Sequence, residues 1–234
     1  MIKSQRIQKL LAHLGYASRR TIEEWIRNGQ IMLNRKTAKL GDRVDLTKDR
    51  LMVNGKRVQA PQHPMRPRLI LYYKPVGEIC SRTDPEKRKI IFDGLPKLEQ
   101  GRWIYVGRLD FNTSGLLLLT NDGDLANKYM HPSQLIEREY AVRILGKLTP
   151  DAINYLTHGV QLKDGKARFE HIVEKQTKGI NHWYHVVVME GRNRLVRRLF
   201  ESQHFVVNRL IRVRFGDIIL PKTLKPGEHK ELPI

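Results

Sequence analysis

Apolar residues keep a helical period in a few stretches of the chain and elsewhere fall in short runs. Ile7, Leu10, Leu11 and Leu14 stand at i, i+3, i+4 and i+7, the spacing of one helix face. Gly15 stops that helix. Ser18 is placed to cap a second one, whose apolar side is Ile22, Trp25 and Ile26 and which ends at Gly29. Ile31-Met32-Leu33 reads as a strand. Residues 51–58 read as a hairpin, because Asn54-Gly55 readily takes the left-handed conformations of a two-residue turn. Residues 59–68 hold three prolines and no apolar period, which predicts an extended connection.

From Leu69 onward the pattern changes. Short apolar runs at 69–73, 103–106, 116–119, 139–142, 183–189 and 205–213 predict strands. Helices are expected over 125–130, over 150–158 with Pro150 in the first turn, and from about 194 to 203. Strands outnumber helices and do not alternate with them. The expected class is therefore α+β: a small α/β domain over 1–60, a linker over 61–68, and a mixed, mainly antiparallel sheet domain over 69–234.

Charge adds a partner to this picture. The 234 residues carry 43 Lys and Arg against 24 Asp and Glu, a net charge of +19. Such an excess repels itself unless a polyanion is bound, so nucleic acid is the expected partner. No long apolar stretch argues for a membrane, and no apolar leader opens the chain. The single cysteine, Cys80, excludes an intrachain disulfide and fits a reducing cytoplasm. Residues 1–60 hold 14 basic residues and five acidic ones. Arg6 and Lys9 on the first helix, and Arg19, Arg20 and Arg27 on the second, are candidate phosphate contacts. No exposed apolar helix face asks for a second copy, so a monomer is expected.

One acidic residue stands out in this basic chain. Gly107-Arg108-Leu109-Asp110-Phe111-Asn112-Thr113-Ser114-Gly115 lies between two apolar runs, so Asp110 sits in a loop on a buried scaffold. It is either a turn residue bonding nearby backbone or a catalytic carboxylate. Side-chain hydrogen bonds from Thr113 and Ser114 are expected to hold the loop. Competing chemistries are missing. The chain has no Gly-rich phosphate loop, no Gly-x-Ser-x-Gly elbow and no metal-ligand spacing, so neither cofactor nor metal is expected. Further along, Val196, Leu199 and Phe200 share the apolar face of a helix, and Arg194, Arg197 and Arg198 share a basic one. Like charges so close need an anion, either RNA phosphate or a buried carboxylate such as Asp110. Tyr140, among charges at a strand start, is either a core ring or a base-stacking one.

Two resemblances bear on these residues. Arg6-Ile7-Gln8-Lys9-Leu10-Leu11, Ala17-Ser18-Arg19-Arg20 and Ile26-Arg27-Asn28-Gly29 resemble the small RNA-binding domain first seen in ribosomal protein S4. Gly107-Arg108-Leu109-Asp110 with Thr113-Ser114-Gly115-Leu116 resembles the active-site motif of the pseudouridine synthases. Lys74-Pro75-x-Gly77, Glu139-Tyr140 and Gly191-Arg192-Asn193-Arg194-x-Val196-Arg197-Arg198 are similar to the branch acting on ribosomal RNA. The likeness extends to a member modifying one uridine of large-subunit (23S) rRNA, free or within a pre-50S particle. It implies cofactor-free isomerisation of a uridine flipped out of its stack. It implies Asp110 as the essential carboxylate, nucleophile or base, with Arg197 paired to it and Tyr140 stacked on the uracil. Arg108 would hold the RNA backbone or fill the vacated stack, and Arg192, Arg194 and Arg198 would bind RNA.

Overall fold

The computed structural model describes residues 4–60, 63, 65–175 and 179–234. Two compact units emerge: residues 1–68, 97–104 and 121–123 form one, and the remainder forms the other. The linker expected over 61–68 falls in part on residues 61, 62 and 64, which lie outside the described residues.

In the first unit β1 (Gln5–Arg6) leads into α1 (Ile7–His13), and Gly15 turns the chain away at φ +88°. The next helix, α2 (Arg19–Arg27), starts at the expected cap, where Ser18 Oγ accepts the Thr21 N–H at 3.0 Å. β2 (Ile31–Leu33), β3 (Lys36–Thr37), β4 (Arg43–Val44), β5 (Leu51–Val53) and β6 (Lys56–Arg57) follow. The sheet order is β3-β2-β5-β6, and β1 pairs with β4. Asn54 at φ +48° and Gly55 at +76° make the expected tight turn between β5 and β6. Ile7, Leu10, Leu11, Ile22, Ile26 and Leu51 fill the core, and Leu14 and Trp25 pack at its edge.

The second unit is built on one large sheet. Its elements are β7 (Leu69–Lys74), β8 (Ile104–Val106), β9 (Ser114–Thr120), α3 (Gly123–Met130), β10 (Arg138–Leu145), α4 (Pro150–His158), β11 (Val160–Leu162), β12 (Gly165–Ala167), β13 (His171–Lys175), β14 (Asn181–Val188), α5 (Leu195–Glu201), β15 (Val207–Phe215), β16 (Ile218–Ile219) and β17 (His229–Leu232). Strands run in the order β13-β14-β10-β15-β9-β7-β17, with β8 added to β9 and β16 to β15. β9 and β15 are parallel; β10 pairs antiparallel with both β14 and β15, and β7 with both β9 and β17. The sheet is thus mixed and mainly antiparallel, as the pattern of short runs predicts. All of β9 is buried, which is why its leucines run together instead of alternating.

Three differences from the sequence expectations have physical causes. The β11–β12 hairpin joins runs of three residues, too short to show a period. The edge strands β13 and β17 are largely exposed and polar, so they lack an apolar signature. The helix expected over 194–203 is shorter: Arg194 takes a left-handed conformation at φ +49° as its N-cap, and Ser202 closes it.

Candidate active site

Asp110 opens a four-residue turn. The Thr113 N–H donates to the Asp110 carbonyl at 3.0 Å, and Asp is favoured at this first position. The turn is closed by backbone, which leaves the half-buried carboxylate at the wall of a cleft. What fixes the turn is not the expected pair of hydroxyls. Among the described residues Thr113 Oγ1 is buried without a hydrogen-bond partner. Lys74, fully buried at the end of β7, does the fixing instead. Its Nζ donates to the carbonyls of Asp110 (3.1 Å), Thr113 (2.9 Å) and Pro75 (2.9 Å). Both ends of the turn are therefore tied to one ammonium, whose pKa burial pushes below its usual 10.5.

A second cation grips the turn at its tip. Arg197 of α5 donates from Nη2 to the Asn112 carbonyl at 2.8 Å and from Nη1 to the Val207 carbonyl at 3.0 Å. The direct ion pair expected between Arg197 and Asp110 does not form among the described residues; the hydrogen bonds of the Arg197 terminal nitrogens go to main-chain carbonyls. The carboxylate still acts on the guanidinium through space. Burial pushes the Arg197 pKa down, Arg194 adds to that, and Asp110 opposes it. Arg197 thus holds the loop and lends positive potential near its acid.

The cleft has a volume of about 940 Å³ and is lined by Asp110, Tyr140, Leu210 and Arg212, among others. Tyr140 is 8% exposed and lines the cleft, so a residue packed like a core residue also forms part of the cleft wall. Arg212 stands opposite Tyr140 in register and is 2% exposed. Its Nε donates to the Leu116 carbonyl at 2.7 Å, while among the described residues Nη2 is buried without a hydrogen-bond partner. The β15 backbone at Arg212 comes close to β9 because position 115 is glycine. A Cβ on Gly115 would lie 2.6 Å from Arg212 N and closer still to its carbonyl oxygen. This close approach explains the glycine that follows Thr113-Ser114.

Arg192, Arg194 and Arg198 have internal anions, so the basic helix face is not bare. Arg198 meets both carboxylate oxygens of Asp164 at 2.7 and 2.9 Å. Arg192 meets Asp164 at 3.0 Å and Glu190 at 2.6 Å, and Arg194 meets Glu201 at 3.0 Å. Hydrogen bonds from Arg198 hold the Asp164 carboxyl below its usual value. Asp164 braces the cleft wall and was not singled out from the sequence; the one available signal was Asp164-Gly165, a hairpin turn pair. Arg108 is exposed at the cleft rim. In the first unit Arg6, Arg19, Arg20 and Arg27 are exposed and Lys9 is half-buried.

Lys74→Met is expected to lower stability by about 3 kcal/mol or more, since it leaves buried carbonyls without a donor. Any activity that depends on the Asp110 carboxylate should fall with it, because the turn that presents Asp110 loses its anchor. Thermal unfolding and single-turnover assays check both; a wild-type melting temperature would rule out the anchor.

A carboxylate on a clamped turn, in a cleft of a mixed sheet, is accompanied by matches to known proteins. A family model described as RNA pseudouridylate synthase matches residues 68–202, and one described as S4 domain matches residues 5–51. The chain belongs to the RNA pseudouridylate synthase family. It is 52% identical over 232 residues to the ribosomal large subunit pseudouridine synthase B of Pseudomonas aeruginosa, covering 97% of this chain and 59% of that protein. To the protein of the same name from Escherichia coli K12 it is 50% identical over 233 residues, covering 99% and 80%. The chain thus spans less than two thirds of the Pseudomonas relative's length. A crystal structure of a pseudouridylate synthase shares the fold, with a TM-score of 0.67 and 23% identity over 98% of this chain and 96% of that one.

Proposed function

We propose that this protein isomerises one uridine of 23S ribosomal RNA to pseudouridine. The observation that carries the reading is the carboxylate of Asp110, half-buried on a turn clamped by two buried cations and facing the same cleft as Tyr140. A cleft of about 940 Å³ accommodates a nucleotide flipped from its stack, at a cost of about a few kcal/mol. Phosphate contacts from the first unit, through Arg6, Lys9, Arg19, Arg20 and Arg27, offset that cost.

In the reaction the bond from ribose to ring nitrogen breaks, the uracil turns over, and a bond from ribose to ring carbon forms. The nitrogen gains a proton and the carbon loses one, so no oxidant, reductant or cofactor is consumed. Asp110 acts either as nucleophile on the ribose or ring or as base on a ribose proton. Both roles need an oriented carboxylate, which Lys74 and Arg197 favour by fixing the turn. Tyr140 stacks on the uracil, Arg108 meets the RNA at the rim, and Arg192, Arg194 and Arg198 shape the wall on which the strand lies. The relatives named for the large ribosomal subunit support 23S rRNA as substrate, free or in a pre-50S particle. The protein acts as a monomer in the bacterial cytoplasm.

Mapping carbodiimide-dependent reverse-transcription stops in rRNA from cells with and without the protein tests this. One stop is expected to vanish from 23S rRNA and return on re-expression. An unchanged set of stops, or free uracil as product, defeats the reading.

A further inference from the structure

The sheet has a second face, and the reaction does not use it. Tyr140 and Arg212 pair in register and line the cleft, so strand alternation turns Ala141 and Arg143 to the opposite side. There the registers set four residues in a line across four adjacent strands: Lys175 of β13, Trp183 of β14, Arg143 of β10 and Arg209 of β15. At the usual strand spacing the line spans about 14 Å. The Arg143 guanidinium lies over the Trp183 ring, 5.9 Å from its centroid.

Arg143 and Arg209 stand directly opposite each other, and like charges so placed destabilise a sheet. Among the described residues no carboxylate pairs with either, and Arg143 Nε is buried without a hydrogen-bond partner. The acids Glu137 and Glu139, toward the other end of the strands, are already held by Arg214 and His185. Repulsion left unrelieved inside the fold is relieved by an external anion. Facing arginines on adjacent strands suit a nucleic-acid strand better than a small anion, since successive phosphates along the strand meet successive cations. We infer that this line is a second RNA-docking surface, holding a segment of the rRNA away from the uridine that enters the cleft. The inference rests on the rRNA substrate reading above for the identity of the RNA.

The test is the Arg143→Gln/Arg209→Gln double variant of the full chain, titrated with 23S rRNA transcribed in vitro across a salt series. Each lost phosphate contact removes about 0.7 to 0.9 from the slope of log affinity against log salt, so the slope should fall by about 1.5 and affinity by about tenfold. Turnover at saturating RNA should not change. The melting temperature should stay or rise, because two repelling charges are gone. An unchanged salt slope overturns the proposal, as does a wild-type dimer in light scattering that the variant loses, since the occupant is then a second copy. Wild-type protein is assayed for pseudouridine in parallel. If it makes none, the catalytic reading fails, while the slope comparison still decides the surface.

Discussion

Asp110→Asn is expected to lower pseudouridine formation by about a thousandfold or more while leaving folding and RNA affinity near wild type. The size follows from what the side chain can do. General acid–base participation alone is worth about 10² to 10⁴ in rate, and loss of a nucleophile removes at least as much. The selectivity follows from the geometry. The turn is closed by the Thr113 N–H to the Asp110 carbonyl and clamped through carbonyls by Lys74 and Arg197. None of those bonds uses the carboxylate, so an isosteric amide disturbs neither the turn nor the cleft. Single-turnover assays on 23S rRNA transcripts, with binding and thermal unfolding measured on the same preparations, separate the outcomes. A rate within tenfold of wild type would remove Asp110 from the chemistry. A large fall in melting temperature would make it a structural turn residue after all.

The contrast between what was legible in the chain and what was not follows the range of the interactions. Ser18, Gly15 and Asn54-Gly55 act within a few residues, and their cap, stop and turn appear where the sequence places them. The leucines of β9 mark a buried strand, because burial on both faces leaves a run without alternation. The loop that carries Asp110 was equally visible, since an aspartate between two apolar strands reads either as a turn residue or as a catalytic carboxylate, and the turn is there. Its surroundings were not. Lys74 reaches the turn from 36 and 39 residues away in sequence, and Asp164 takes Arg198 across 34. Such pairs are made by the sheet order, which no local pattern encodes. The Arg197 interaction shows the limit most clearly. Its place beside the Asp110 turn was expected, but its partners are main-chain carbonyls of Asn112 and Val207, and backbone acceptors leave no trace in residue identity.

Gly115→Ala should destabilise the second unit by about 4 kcal/mol or more, a large part of the stability of an ordinary domain. Two costs combine. At φ +107° a residue with a Cβ is strained, at about 1 to 3 kcal/mol. The added carbon also overlaps the backbone of Arg212, which cannot swing aside as a side chain would, because Arg212 is paired in register with both Gly115 and Tyr140. Relief requires β9 and β15 to part at their parallel pairing, beside the Asp110 turn, so residual folded protein should also lose activity. Gly107→Ala provides the control. Gly107 has φ +69° but nothing within 4 Å of its would-be Cβ, so only the conformational cost, about 1 kcal/mol, is expected. Denaturant unfolding followed by circular dichroism compares the two variants. Equal losses would mean that backbone strain, and not the close approach of the two strands, is what requires glycine at position 115.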